Sequence, residues 1–331
     1  MIEFHVCPST LAEGYNTYSP QALKLLFDGA KVSHIFPTLS PLNDSKEAKE
    51  AFKQIERVSF SGVQSKLAAV VDGNRFRFAK EGERGTFMLK PKPTASFLYD
   101  KDDYPANENL TMQIASQVYH IETAANGLVF FEDDDVAYIT RRFDVHDRGK
   151  YQQEDFAALM GYTKANGGSD YKYRNSSYEE CAAVIRKYVK AAAVDVLRFF
   201  RVILFNFIYM NDDAHLKNFS LINRNGEYRL SPAYDLINTS LHLGMPRIFA
   251  LDNGLFKEGM HFSDVKSVGR KEFEEFGRRI GLPERLVKRE LDGFCVQYQA
   301  VKTLVNNSFL SENQKSIYWR ATDYRRKMLT M

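Results

Sequence analysis

Asn211-Asp-Asp-Ala-His-Leu-Lys-Asn218 follows directly on a stretch that is apolar nearly all round: Val196, Leu197, Phe199, Phe200, Val202, Ile203, Leu204, Phe205, Phe207 and Ile208. A helix of that kind has to be buried. The polar octet therefore emerges from a core rather than from a solvated surface. Phe219-Ser-Leu-Ile222, the turn Asn223-Arg-Asn-Gly226 and Glu227-Tyr-Arg-Leu230 then read as a β-hairpin. Its arms bring the chain back to where it started, so Asn218 and the segment Ser231-Pro-Ala-Tyr-Asp235 become neighbours. That arrangement gathers Asp213, Asn218 and Asp235 around one point.

Phosphoryl transfer needs such a set. One carboxylate positions the attacking hydroxyl and accepts its proton, while a second carboxylate and an amide oxygen hold Mg²⁺ against a triphosphate. Hard oxygen donors suit that ion, and the Asp-x-x-x-x-Asn spacing is that of a protein-kinase catalytic loop. The plainer reading is an acidic capping loop followed by an ordinary hairpin, since the spacing alone recurs by chance. Inside the loop, His215 suits orientation of Asp213 or of the loop backbone, and Lys217 faces either phosphate or solvent.

Upstream of the octet the pattern is strand-like. Lys66–Val71 and Arg75–Ala79 flank the turn Asp72-Gly-Asn74, and Thr86–Lys90 is a third short strand before Pro91 and Pro93. Leu110, Ile114, Ala115, Val118 and Ile121 mark one face of a helix over Asn107–Ile121. Strands follow at Gly127–Phe131 and Val136–Arg142. Beyond Asp144 helices dominate: Gln153–Met160, Tyr178–Lys190, Asp195–Met210, Lys271–Ile280, Pro283–Leu304 and Glu312–Leu329. Strands first and helices later imply an α+β chain of two lobes. The expected divisions are an irregular extension over 1–45, a β-rich lobe over 46–143 and a helical lobe over 144–331.

Composition narrows the functions. A chain of 331 residues that is 44% hydrophobic, with 25 Phe and 18 Tyr, can bury a sizeable core and is no disordered binder. Its net charge of +3 raises no field that would gather nucleic acid or membrane. Cys7, Cys181 and Cys295 are sparse, odd in number and without metal-ligand spacing, as suits a reducing cytoplasm. The opening Met1–Thr10 lacks the pattern of a signal peptide. Val194–Met210 carries Asp195, Arg198, Arg201 and Asn206 and falls short of a membrane span.

On the nucleotide side, Lys90 ends its strand as a phosphate-binding lysine does. Glu108, in Asn107-Glu-Asn109, either pairs with Lys90 or offsets a helix dipole. Ser59-Phe-Ser-Gly-Val-Gln-Ser-Lys66 is placed to lie over phosphates through its backbone amides, although Gly62 alone makes a poor glycine-rich loop.

Taken in order, that serine loop, Phe87-Met-Leu-Lys90-Pro, Asn107-Glu-Asn109, Arg142-Phe-Asp144, Gln153-Glu-Asp155, Asp213-Ala-His-Leu-Lys-Asn218 and Tyr234-Asp235 resemble the HipA-like kinase family, from about Val58 to Thr239. The resemblance implies a bilobal protein-kinase-like fold, with a β-rich N-lobe and a mainly helical C-lobe, that uses ATP and Mg²⁺. It further implies transfer of the γ-phosphate to serine on a protein target, an aminoacyl-tRNA synthetase, which halts translation. By position Asp213 resembles the catalytic base, Asn218 and Asp235 the metal ligands, and Lys90 the ATP-binding lysine. Arg141 to Phe143 resemble the hinge whose backbone meets adenine, although Arg141 stands where many relatives have an acid. Gln64 and His215 complete the nucleotide-side candidates. Ser59, with Ser61 beside it, stands where the family autophosphorylates.

The short chain and its Cys7-Pro8 opening look like the HipT-type branch, which lacks an N-terminal subdomain. There a small HipS-like protein supplies the missing part beside a helix-turn-helix HipB-like antitoxin. DNA is then met only through the antitoxin, and no membrane is involved. Two other functions fit the same centre: a small-molecule or lipid kinase, and an inactive scaffold in a repressor complex.

Overall fold

Gly73, at φ 61°, lets the chain reverse between β1 (Leu67–Asp72) and β2 (Arg75–Phe78), which pair antiparallel from Asp72↔Arg75 to Ala69↔Phe78. The computed structural model describes residues 3–46, 64–261 and 267–330. Next to this hairpin lie β3 (Phe87–Pro91), β5 (Val136–Arg141) and β4 (Asn126–Phe130), giving an antiparallel sheet in the order β2-β1-β3-β5-β4. Lys90 therefore lies on the central strand, opposite Tyr138.

The opening segment is less irregular than its composition suggests. Ser19 accepts a hydrogen bond from the Ala22 amide and, with Pro20 in the first turn, starts helix α1 (Pro20–Phe27). Cys7, Tyr18, Leu26, Phe27 and Phe36 pack on Phe76, Phe87, Leu89, Val129 and Ile139 of the sheet. Each fully buried large side chain contributes about 1.5–3 kcal/mol, so this apolar lining holds a segment that has little regular structure.

Between β3 and β4 runs α2 (Tyr104–Gln117), and the helical half follows: α3 (Tyr178–Tyr188), α4 (Ala192–Ile208), α5 (Arg270–Arg279), α6 (Glu284–Cys295), α7 (Gln299–Asn307) and α8 (Glu312–Met328). As its all-round apolar character requires, α4 is buried, with Val196, Phe199, Phe200, Leu204 and Phe205 at the centre of the larger core. Among the described residues no helix is long and apolar enough to cross a membrane.

Two helical expectations are corrected. Past a short hairpin of β6 (Val145–His146) and β7 (Gly149–Lys150), Gln153–Met160 divides into a strand, β8 (Gln153–Asp155), and one turn, Phe156–Leu159, capped by the Asp155 carboxylate. Pairing of Glu154 with Leu221 outweighs the local helical propensity. Pro283–Leu304 is two helices rather than one, because Val296 and Tyr298 adopt extended backbone between α6 and α7.

The expected hairpin is present as β9 (Ser220–Arg224) and β10 (Glu227–Leu230). Asn225 (φ 56°) and Gly226 (φ 84°) form its turn, and both need the left-handed region that asparagine and glycine tolerate. Past β10, Ala233 donates to the Glu122 carbonyl at 2.8 Å, and its own carbonyl accepts from the Ala124 amide at 2.9 Å. These two bonds tie the segment leading to Asp235 onto the chain entering β4, which brings Asp235 beneath β3.

Candidate active site

Lys90 is 2% exposed, and its ammonium meets Glu108 at 2.6 Å and Asp235 at 2.5 Å. Burial opposes its charge, but the Asp235 and Glu108 carboxylates outweigh that and hold it above the usual lysine range. Asp235 lies well below the usual carboxylate range, because Lys66 and Lys90 more than offset the cost of burying it. For Glu108 burial wins, and its carboxyl is raised despite Lys90. Glu108 is no first-turn acid: α2 begins at Tyr104, so Glu108 lies in its second turn and reaches across to β3.

The neighbours of Glu108 fix the helix in place. Asn107 donates to the Asn238 carbonyl at 2.8 Å and accepts from the Asn238 amide at 3.1 Å. Asn109 donates to the Ser9 carbonyl at 3.2 Å and to Asn126 at 3.0 Å. Three successive polar side chains thus bind the post-Asp235 segment, the central strand and the N-terminal segment. Leaving such buried groups unpaired would cost about 1–3 kcal/mol each.

The loop after α4 is organised by Asn211. Its side chain accepts from the Asp213 amide at 3.2 Å, and it donates to Asn206 at 3.0 Å and to the Asp235 carbonyl at 3.4 Å. Asn218 donates to the Asp213 carbonyl at 2.8 Å, which leaves its side-chain oxygen available to a cation. Asp213, Asn218 and Asp235 are therefore joined through one hydrogen-bonded loop. Asp235 stands at φ 54°, and its carboxylate oxygens accept from Lys90 and, at 3.2 Å, from Lys66. Among the described residues no three His, Cys, Asp or Glu side chains converge as a metal-binding group.

The remaining candidates are dispersed around this centre. Gln64 donates to the Pro91 carbonyl at 2.6 Å, beside Lys90. The Arg141 guanidinium turns outward to Asp28 at 2.7 and 2.6 Å, and its amide donates to the Ala125 carbonyl at 2.8 Å. The Phe143 ring lies 5.8 Å from that of Tyr234, next to Asp235. Ser59 and Ser61 fall outside the described residues. Three site neighbours escaped the sequence reading. Lys66 lay inside a quoted motif without a role, Asn211 opened the octet unassigned, and Tyr173, which donates to Asp213 at 2.6 Å, had no local signal at all.

His215 lies with Nε2 3.8 Å from Asp213, beyond a hydrogen bond, and its buried Nδ1 has no partner among the described residues. Burial pushes its imidazole down to about 4, against the pull of Asp213. An unfolded chain takes up this proton near pH 6.5 and the folded chain only near 4, so stability falls as pH drops through that window. His215→Asn is expected to remove roughly 2 kcal/mol of the stability lost between pH 7 and pH 5. Urea titrations at both pH values read the difference; equal losses in the two proteins would clear His215 of the effect.

A lysine on the central strand paired with a helix glutamate, set above a loop that carries an aspartate and an asparagine, defines a protein-kinase-like fold of two lobes. Solved structures agree with that fold. The chain superposes on the HipA chain of the Shewanella oneidensis MR-1 toxin–antitoxin complex of HipA, HipB and operator DNA with a TM-score of 0.63 at 20% identity, covering 88% of this chain and 68% of that one. The Helicobacter pylori proinflammatory kinase CtkA gives a TM-score of 0.51 at 13% identity, covering 82% and 94%.

Residues 58–302 match the HipA-like C-terminal domain, and the chain belongs to that family. A Haemophilus influenzae protein named "Putative kinase" is 26% identical over 321 residues, covering 91% of this chain and 89% of its own length. "Putative kinase Y4dM" of Sinorhizobium fredii is 29% identical over 266 residues, covering 75% of this chain and 60% of its own length.

Proposed function

We propose that the chain is an ATP- and magnesium-dependent protein serine/threonine kinase, and the toxin of a toxin–antitoxin pair. The observation that carries this reading is Lys90, buried between Glu108 and Asp235, with the Asp235 carbonyl held by Asn211 at the head of the Asp213–Asn218 loop. In this reading residues 46–143 are the nucleotide lobe and 144–331 the catalytic lobe. Lys90 and Gln64 lie toward the phosphates, with His215 on the opposite wall, and the backbone of Arg141 to Phe143 meets adenine. Asp213 accepts the proton of the acceptor serine. Asn218 and Asp235 supply hard oxygens to Mg²⁺, which when bound neutralises charge on the phosphates. Lys66 and Lys90 are balanced by Asp235 and Glu108, so the cluster is neutral, and a bound metal would release the lysines toward the phosphates.

The target is an aminoacyl-tRNA synthetase, and the place of action the cytoplasm. A HipS-like protein and a HipB-like antitoxin are the expected partners, the latter supported by the HipA–HipB–DNA assembly of the Shewanella relative. Autophosphorylation of Ser59 or Ser61 would add close to two negative charges just before Gln64, the residue anchored beside Lys90. Repulsion from ATP would then displace the loop.

The test is incubation with γ-labelled ATP, Mg²⁺ and a cell lysate, followed by phosphopeptide mass spectrometry. Phosphoserine on a protein band, lost on chelating the metal, is the expected result. Label confined to lipid, or none, would overturn the reading.

A further inference from the structure

Tyr173 belongs to no helix or strand, yet its segment is tightly fixed against the catalytic loop. The Leu216 amide donates to the Lys172 carbonyl at 3.1 Å, and the Asp252 amide donates to the Tyr173 carbonyl at 3.0 Å. The Tyr173 amide in turn donates to the Asp170 carbonyl at 2.9 Å. Its ring packs T-shaped against His215 with centroids 5.0 Å apart, and the Lys172 ammonium and the Arg247 guanidinium lie over it at 4.9 and 5.5 Å. From this seat the phenol donates to Asp213 Oδ1 at 2.6 Å.

The other face of Asp213 is open. Its side chain is 46% exposed, and among the described residues Oδ2 accepts no hydrogen bond. A carboxylate on a single bond can rotate, and a base that rotates meets its acceptor in the right geometry only part of the time. Lys217, in the loop itself, is turned away to Asp155 at 2.6 Å, and His215 stands too far off to hold Asp213. Among the described residues Tyr173 is left as the group that fixes the rotation. Burial and the neighbouring Asp213 charge raise its phenol well above the ordinary tyrosine value, so it remains a donor at every working pH.

We propose that Tyr173 is a positioning residue for phosphotransfer: it fixes Oδ1 of Asp213 so that Oδ2 faces the acceptor hydroxyl. The inference rests on the kinase reading of Asp213 given above. The tyrosine takes no part in bond making. The acceptor proton goes to Asp213, the acceptor oxygen bonds to the γ-phosphorus of ATP, and ADP leaves.

The test compares the full-length chain with its Tyr173→Phe variant, using γ-labelled ATP, Mg²⁺ and myelin basic protein as the acceptor probe. Label in the probe and in the chain itself are both followed. Loss of a charge-assisted hydrogen bond to the base should lower kcat about ten- to a hundredfold with KM for ATP unchanged. A general packing defect would lower kcat and ATP affinity together, whereas loss of positioning lowers kcat alone. In an Asp213→Asn background the tyrosine substitution should cost nothing further, whereas additive losses would mean that Tyr173 acts elsewhere. An unchanged kcat overturns the proposal. So does a raised one, which would make Tyr173 an occupant of the acceptor's place, and so does phosphate found on Tyr173 itself. Should Tyr173→Phe fail to bind ATP, Tyr173→His, which can donate from a ring nitrogen, decides the matter: partial rescue of kcat supports positioning and a null rate opposes it. A wild-type chain that labels nothing overturns the kinase reading and this inference together, while an active wild type matched by the variant overturns only the inference.

Discussion

Asp213→Asn is expected to lower phosphotransfer about 10²–10⁴-fold while ATP binds as tightly as before. The substitution keeps shape and removes only the ability to take up a proton. The loop does not depend on the carboxylate for its course: Asn218 uses the Asp213 carbonyl and Asn211 uses its amide. An asparagine side-chain oxygen still accepts from Tyr173, so the strap over the loop also stays in place. Lys90, Glu108 and Asp235, which the kinase reading sets on the nucleotide side, bond to one another and not to the altered group. Single-turnover kinetics give the first quantity and calorimetry the second. Full turnover in the variant would remove Asp213 from the role of base, and a parallel loss of ATP affinity would mean that it holds nucleotide instead.

Contacts local in sequence were largely readable from it, and long-range contacts were not. The turn at Asn225-Gly226 admits little but a hairpin, and from that hairpin follows the return of Tyr234, whose phenol donates to the Lys217 carbonyl at 2.9 Å. The all-round apolar α4 likewise could only be buried. The pair of Lys90 and Glu108 was one of two readings, because a glutamate near a helix start suits a dipole as well as a lysine. Only the start of α2 at Tyr104, earlier than its apolar periodicity suggests, decides between them. Lys66 and Asp235 are 169 positions apart, and Tyr173 and Asp213 are 40 apart, so no periodicity connects either pair. Gln153–Met160 shows the same limit from the other side, since its strand exists because β9 is there to pair with it.

Asp235→Asn is expected to abolish the tightening of ATP binding by Mg²⁺. Asparagine accepts the left-handed backbone at this position about as well as aspartate does, so the φ of 54° is no obstacle to folding. What changes is the charge. Lys66, Lys90, Glu108 and Asp235 are two cations and two anions in direct contact, and the substitution leaves that cluster with one excess positive charge. Lys90, 2% exposed, keeps only Glu108 as an anionic partner, whose own carboxyl burial already raises. Removing one partner of a buried ion pair costs about 3–5 kcal/mol when nothing replaces it; with Glu108 remaining, a loss of roughly 1–3 kcal/mol is expected on the same grounds. Both lysines are freed toward phosphate at the same time, so ATP alone should bind the variant no more weakly than it binds the wild type. Magnesium, deprived of its one protein carboxylate, should add little. Calorimetric titrations of ATP with and without Mg²⁺ on both proteins separate these effects. A variant that kept the full magnesium dependence would place the cation on other ligands and leave Asp235 solely as the anchor of Lys90 and Lys66.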